Sequence, residues 1–316
     1  VNGTHLVDEK GANVQLKGVS SQWLNLEKDG YALSLDALVW MRDNWKLTVF
    51  RAAMGAETAD KEPGYTTNAA AQAEMQRQVE IVIKNAITAG VYVIVDWHAH
   101  NALSEQAAAV AFFGDLSKRY GQYPNVIFET FNEPLQVKWL SALKPYHEAV
   151  VKAIRDNDPD PHDNIVILGT PQWDQMPTDA AASPLKGDNL MYTVHFYSCT
   201  HNANSATPPP FGDGISHLQR AKDAFTAGLP IFVTEWGATK ADGGVGGTAV
   251  CASEADGWHE WMNANQISWA AWKLDDCDTE TPPDTSCLLK VNAPLNGGWD
   301  DQLNGHGPYV VGKLKN

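Results

Sequence analysis

The sequence predicts a (β/α)8 barrel, and three observations carry that prediction. Eight short, apolar, β-branched runs recur roughly every 36 residues from one end of the chain to the other. The segments between them are longer and amphipathic. No linker, repeat or charge block divides the chain, so residues 1–316 read as one barrel domain, although length alone would suggest two.

In chain order, segments 4–7 and 13–16, joined through 8–11, read as a small N-terminal β-hairpin covering the barrel floor. The eight runs are 15–20, 47–53, 91–97, 126–132, 165–169, 191–196, 231–236 and 267–273. They are apolar without alternation, as expected of parallel strands buried on both faces beneath helices. After the second run, Met75, Val79, Val82, Ile83, Ala86 and Ile87 share one helical face, and Gly90 stands where a C-cap belongs. Before the eighth, Ser253 with Asp256 forms a partial capping box ahead of the stripe Trp258, Trp261, Met262. Loops 201–214, 241–248 and 275–296 follow strands, so they rim the C-terminal face where barrels build their sites.

The chain carries 23 basic and 38 acidic residues, a net charge of −15. That balance argues against nucleic acid or an anionic membrane as partner, since both need clustered Lys and Arg. No apolar run of ~18 residues is present to span a bilayer. The cysteines Cys199, Cys251, Cys277 and Cys287 form no C-x-x-C pair. An even count permits two disulfides, preferably Cys277–Cys287 and Cys199–Cys251, with the other connectivities and reduced thiols left open. The chain begins at Val1 without a signal peptide, so an exported protein would be seen here as its mature form or as an excised domain.

The strongest local signal is the stretch from Phe128 through Asn132, Glu133 and Pro134, which ends the fourth run with a carboxylate at the barrel mouth. The second is Glu235, in Val233-Thr234-Glu235-Trp236-Gly237. A lone strand-end Glu is more often a solvated charge or an ion-pair partner. Two on opposite strands can flank a glycosidic bond, and a separation of ~5–5.5 Å would imply retention of configuration. His98 and His100 share a strand face and raise a zinc reading. The barrel hydrolases built that way carry the pair on their first strand, where this chain has no histidine, so no metal is expected. The acidic residues Asp275, Asp276, Asp278, Glu280 and Asp284 could bind calcium, but a solvated loop is the simpler reading. Twelve Trp outnumber nine Phe and nine Tyr. Flat indoles suit the C–H faces of sugars, and Trp23, Trp173 and Trp272, at or after strand ends, are the expected platforms. Tyr65 and Trp299 are weaker candidates. Trp40, Trp45, Trp258 and Trp261 fall on helices and read as core.

With these motifs the chain resembles glycoside hydrolase family 5, most nearly its bacterial endoglucanases, from Leu16-Lys17-Gly18 to Ala271-Trp272. The resemblance implies Glu133 as acid/base, Glu235 as nucleophile and Asn132 as the group binding the sugar 2-hydroxyl. It implies that Arg51 orients the nucleophile and that His98, His195, Tyr197 and Trp272 line the reacting subsite. Two positions depart from the family. Cys277 stands where many members carry a lysine, and Gly55 where an aromatic often lies. The expected activity is endo-hydrolysis of β-1,4-glucan with retention and no cofactor, by a secreted monomer from which a carbohydrate-binding module could have been removed. A β-mannanase or broad β-glucanase on the same site, and a non-catalytic glycan-binding module, are the alternatives. Arg51 and Tyr197 should keep Glu235 ionised, and Glu133 should rest protonated, raised partly by the charge of Glu235.

Overall fold

Parallel strands buried on both faces leave no exposed edge if the sheet closes on itself, and here it does. In the computed structural model β1 (Lys17–Ser21), β2 (Val49–Gly55), β3 (Tyr92–His98), β4 (Val126–Glu129), β5 (Val166–Leu168), β6 (Leu190–Tyr197), β7 (Ile231–Gly237) and β8 (Trp269–Leu274) form a closed barrel in sequential order. Each neighbouring pair is parallel, including β1 with β8. The structure describes residues 1–27, 30–159, 164–201, 203, 214–241, 247, 249–277 and 284–316. Asp278, Glu280 and most of loops 201–214 and 241–248 therefore lie outside the described residues.

The outer layer consists of α1 (Leu35–Trp40), α2 (Ala69–Ala89), α3 (Gln106–Tyr120), α4 (Lys144–Asn157), the short α5 (Pro171–Asp174) and α6 (Pro177–Ala181), α7 (His217–Thr226), α8 (Ala252–Ala264) and α9 (Gly307–Lys315). The Asn68 side chain caps α2 by accepting from the amides of Ala70 and Ala71, and Gly90 ends it at φ 70°. The capping box expected at Ser253 does not form. Helix α8 begins at Ala252 with Cys251 at its N-cap, so Ser253 already lies in the first turn. Its start is fixed instead by the Cys199–Cys251 disulfide and by the Cys251 amide on Ala238 O at 2.8 Å. Cys277 pairs with Cys287, so both preferred disulfides are present. No helix among the described residues is long and apolar enough to cross a membrane.

At the floor, the expected hairpin is reduced to a single antiparallel bridge, Val7 with Asn13, around a turn held by the Asp8 carboxylate. Its Leu6, together with Leu16, packs against Val49, Ile94, Ile127, Ile167, Met191 and Phe232, one inward residue from each of six strands. These eight side chains plug the barrel. Successive side chains on a strand alternate between faces. Two residues above the plug the same face therefore carries Arg51, Asp96, Glu129, Thr193 and Thr234, all fully buried. The interior changes from hydrocarbon to ions within one pleat.

Two strands fall short of the expected runs by more than one residue: β4 stops at Glu129 and β5 spans Val166–Leu168. Beyond β4 the chain leans over the exit of β5. A Cβ on Gly169 would lie 2.4 Å from the Phe131 carbonyl oxygen and 3.0 Å from the Pro134 ring, so only glycine permits that approach.

Candidate active site

Arg51 organises the upper interior. Its Nε donates to Glu129 Oε2 at 2.7 Å, Nη1 to Glu235 Oε2 at 2.9 Å, and Nη2 to Asn132 Oδ1 at 2.6 Å and Glu129 Oε1 at 3.3 Å, while Asp96 Oδ2 lies 2.9 Å from Nη2 as an ion pair. Three carboxylates thus face one guanidinium that is itself fully buried. Burial, opposed by Arg51, raises Asp96 to about 7, and it raises Glu129 as well. Because Arg51 has only donors, Asn132 must turn its amide oxygen toward it, which leaves Nδ2 as the group available to a ligand.

Glu235 is held from both sides. Tyr197 donates its phenol to Oε1 at 2.6 Å, opposite the Arg51 bond to Oε2. Burial and the charge of Glu235 keep Tyr197 a phenol. Thr234, next in sequence, also points inward, although consecutive strand residues normally face opposite sides. An irregularity in β7 reconciles the two. Thr193 pairs with Phe232 but His195 pairs with Glu235, so three residues of β7 oppose two of β6, and the same excess appears against β8. Such an extra residue is a β-bulge, and it re-aims one side chain.

Glu133 lies beyond the end of β4 on a segment tied to the exit of β3, with Asn132 N on Trp97 O at 3.0 Å and Glu133 N on Ala99 O at 3.4 Å. Its Oε1 meets His195 Nδ1 at 2.9 Å, and its Oε2 faces His100 Nε2 at 3.5 Å. One oxygen of Glu133, one of Glu235 and a ring nitrogen of His195 all lie within 4.8 Å of one another. The expectation that Glu133 rests protonated is overturned. Burial raises its carboxyl, but hydrogen bonds from His100 and His195 outweigh that and carry it well below the usual carboxylate range. Repulsion by Glu235 is not what sets it.

The tautomer of His195 follows from its neighbours. Thr234 Oγ1 donates to Glu129 Oε1 at 2.6 Å, so toward His195 Nε2, 3.0 Å away, it can only accept. Nε2 therefore carries hydrogen, and the nitrogen facing Glu133 can donate to that carboxylate only in the imidazolium form. Asp174, fully buried after β5, places Oδ2 3.5 Å from the same Nδ1. Burial and the charge of Glu133 push its carboxyl far up. Glu129, Asp174, Thr234, Glu57 and His100 complete the site and were not assigned to it from sequence.

His98 donates Nδ1–H to Asp96 Oδ2 at 2.6 Å and stacks on Trp272 at 5.3 Å with 9° between planes. Burial holds this imidazole neutral. Trp272 is buried with Ala53 and Tyr197, and the half-buried Trp23 packs against that group. Trp173 is half-buried, and its amide donates to Pro134 O at 2.8 Å beside the Glu133 segment. Tyr65 and Trp299 are not platforms. Tyr65 packs between Trp97 and Phe112, and Trp299 is fully buried against Trp40 and Trp45. Trp45, Trp258 and Trp261 are buried, as their helical positions predict. At Gly55 a Cβ would strike the Asn25 amide oxygen at 1.8 Å, so Asn25 fills the space that a side chain there would need.

The model of the family described as Cellulase (glycosyl hydrolase family 5) matches residues 7–278. Endoglucanase Z of Dickeya dadantii is 38% identical over 277 residues, covering 87% of this chain and 59% of that protein. Endoglucanase A of Evansella cellulosilytica is 37% identical over 313 residues, covering 96% of this chain and 57% of that protein. The chain thus spans less than two thirds of the length of these relatives. The catalytic domain of a Thermobifida fusca endoglucanase, solved with cellotetraose, superposes with a TM-score of 0.84 at 29% identity, covering 100% of this chain and 96% of that one. With a family model that runs from the floor bridge to the loop after β8, the chain belongs to glycosyl hydrolase family 5.

Proposed function

We propose that this chain is the catalytic barrel of a secreted endo-β-1,4-glucanase that works with retention, residues 1–316 forming one catalytic unit. The observation that carries the reading is the approach of Glu133 and Glu235, carboxylate oxygens within 4.8 Å. That spacing suits direct attack by one carboxylate and falls short of the ~6.5–9.5 Å typical of inverting pairs. The names and the cellotetraose complex of the relatives support the substrate class.

In this reading Glu235 is the nucleophile. Arg51 and Tyr197 aim its oxygens and keep it acceptor-only, so it attacks the anomeric carbon while Glu133 protonates the departing oxygen. Glu133 then takes a proton from water, which releases the sugar from Glu235. Asn132 Nδ2 is assigned to the 2-hydroxyl, and Trp23, Trp173 and Trp272 to sugar faces. His98, backed by Asp96, supports the Trp272 ring. With Cys277 in a disulfide, this chain has no lysine at the family's donor-side position.

Initial rates on carboxymethyl cellulose, lichenan and mannan test the substrate. We expect the two β-glucans to be cut internally, with a rapid fall in viscosity. A strong mannan preference would replace the glucan assignment, and oligosaccharide binding without turnover would replace the enzymatic one. Thr234→Val tests the network behind Glu133. It keeps the shape of the side chain but removes the acceptor that fixes His195, so kcat should fall ~10-fold or more. An unchanged kcat would mean that Thr234 does not orient His195.

A further inference from the structure

We propose that His100, clamped by Glu57, stores the proton that Glu133 delivers and so sets the alkaline limit of turnover. The inference rests on Glu133 being the acid/base group.

The geometry around His100 is asymmetric. Glu57 Oε1 accepts from both the His100 amide, at 3.1 Å, and Nδ1, at 3.0 Å. An ionised carboxylate only accepts, so Nδ1 carries hydrogen whatever the charge of the ring. The ring is thereby fixed with Nε2 toward Glu133 Oε2, 3.5 Å away. Trp23 stacks on the imidazole at 5.8 Å and 29°, which limits its tilt and favours a cation there. His195 takes the other oxygen of Glu133, and its own outer nitrogen is tied to Thr234. Each oxygen of Glu133 therefore faces a ring nitrogen whose opposite nitrogen is already committed. Three inward atoms remain to hold the proton that acid catalysis needs: Glu133 Oε, His195 Nδ1 and His100 Nε2.

An imidazolium between two carboxylates is the favoured holder. Burial lowers His100, but its bonds to Glu133 and Glu57 overcome that and raise it to about 10. The same bonds lower Glu57 against its own burial. The other groups facing the pair are Arg51 from β2, Asp96 and His98 from β3, Glu105 beside Glu57, Asp174 after β5, His195 from β6, His201 just beyond it and Glu235 from β7. Burial keeps His98 and His201 neutral, and with the charge of Glu133 it keeps Asp174 protonated. His100 is thus an imidazole whose charged form its two carboxylate partners favour.

The proton count closes over one cycle. In the free site one proton lies in the 2.9 Å contact between Glu133 Oε1 and His195 Nδ1 and stays there throughout, while Glu133 Oε2 is bare and His100 is an imidazolium. As the glycosidic oxygen arrives, the Nε2–H bond breaks and the proton passes to Glu133 Oε2, leaving His100 neutral. Glu133 gives it to the departing oxygen, which keeps the electron pair of the broken C–O bond. In the second half-reaction the attacking water surrenders a proton to Glu133, and that proton returns to His100.

The test is the pH profile of kcat/KM on lichenan for the wild type, His100→Gln and Glu57→Gln, alongside ¹⁵N NMR of the His100 ring. With the store removed, the alkaline limb of His100→Gln should move down by more than ~1 pH unit, while its acid-side plateau falls no more than ~10-fold. Glu57→Gln should move the limb the same way by less. Alkaline limbs that stay in place in both variants would overturn the proposal, because a purely structural role lowers the whole profile without moving it. By NMR the wild-type ring should stay doubly protonated beyond pH ~8 and titrate lower in Glu57→Gln. A ring titrating near ~6.5 refutes the store whether or not the protein hydrolyses glucan. Absence of all hydrolysis would instead refute the enzymatic reading and leave NMR to decide the store. If His100→Gln does not fold, Glu57→Gln and the wild-type titration decide.

Discussion

Glu235→Ala should lower turnover by ~10⁴-fold or more while the barrel stays folded, and azide should restore it by forming a glycosyl azide of inverted configuration. The size of the effect follows from the role: without the carboxylate no covalent intermediate forms, and a water in the vacated space is a weak nucleophile with no base on that face to activate it. Folding should survive because Glu235 is the most accessible of the three carboxylates on Arg51, at 7% side-chain exposure against 0% for Asp96 and Glu129. Its removal still leaves the guanidinium paired with two acids. Azide fits the vacated space and attacks the same face of the sugar. Anomeric analysis of the azide product therefore reads the assignment of roles directly. A product of retained configuration would exchange Glu235 and Glu133.

Arg51→Met should be the most destabilising single change in the site. It keeps much of the volume but strands three buried carboxylates, and removing one partner from such a cluster costs ~3–5 kcal/mol. For a barrel of this size that corresponds to a fall in Tm of roughly 5–8 °C. The deficit should depend on pH. Asp96 and Glu129 are already raised by burial, and losing the cation raises them further. A carboxyl whose folded pKa exceeds its unfolded value destabilises the fold above the unfolded value, so the deficit should be smallest near pH ~4 and grow toward neutrality. Arg51→Lys restores one charge but not the fork that reaches all the acids, and should fall between the two. Thermal unfolding of the three proteins at pH 4 and pH 7 measures this. A Met variant as stable as the wild type at pH 7 would show that the pairing with Arg51 does not stabilise the fold.

The barrel was legible in the sequence because burial on both faces writes apolar residues at every position of a strand, and eight such runs leave few other closed arrangements. Strand ends were less legible. The run 126–132 reads as one strand, yet β4 stops at Glu129, because the leaning of residues 131–134 over Gly169 is a contact across the fold that no local pattern records. Residues at strand ends drew attention, whereas Asp96, Glu129 and Thr234 sit one pleat deeper. A usable signal did exist for them. Arg51, Asp96 and Glu129 each follow an inward apolar residue by two, and a charge inside a strand of that kind must have partners. The pairing of Thr234 with Glu235 could not be foreseen, since the bulge in β7 breaks the alternation that such an inference needs. Asp174 and Glu57 lie in connecting segments whose backbone course is set by tertiary contacts, so their approach to His195 and His100 has no signature in spacing.

The plug of Leu6, Leu16, Val49, Ile94, Ile127, Ile167, Met191 and Phe232 has a consequence for how the protein responds to its medium. Dissolved ions cannot approach the Arg51 cluster from beneath, so their screening atmosphere forms only above the rim. Raising ionic strength will therefore weaken the fields around the partly exposed His100 and Glu57 long before it reaches Asp96 or Glu129. Electrolyte becomes a dial for proton supply that leaves the grip on Glu235 untouched.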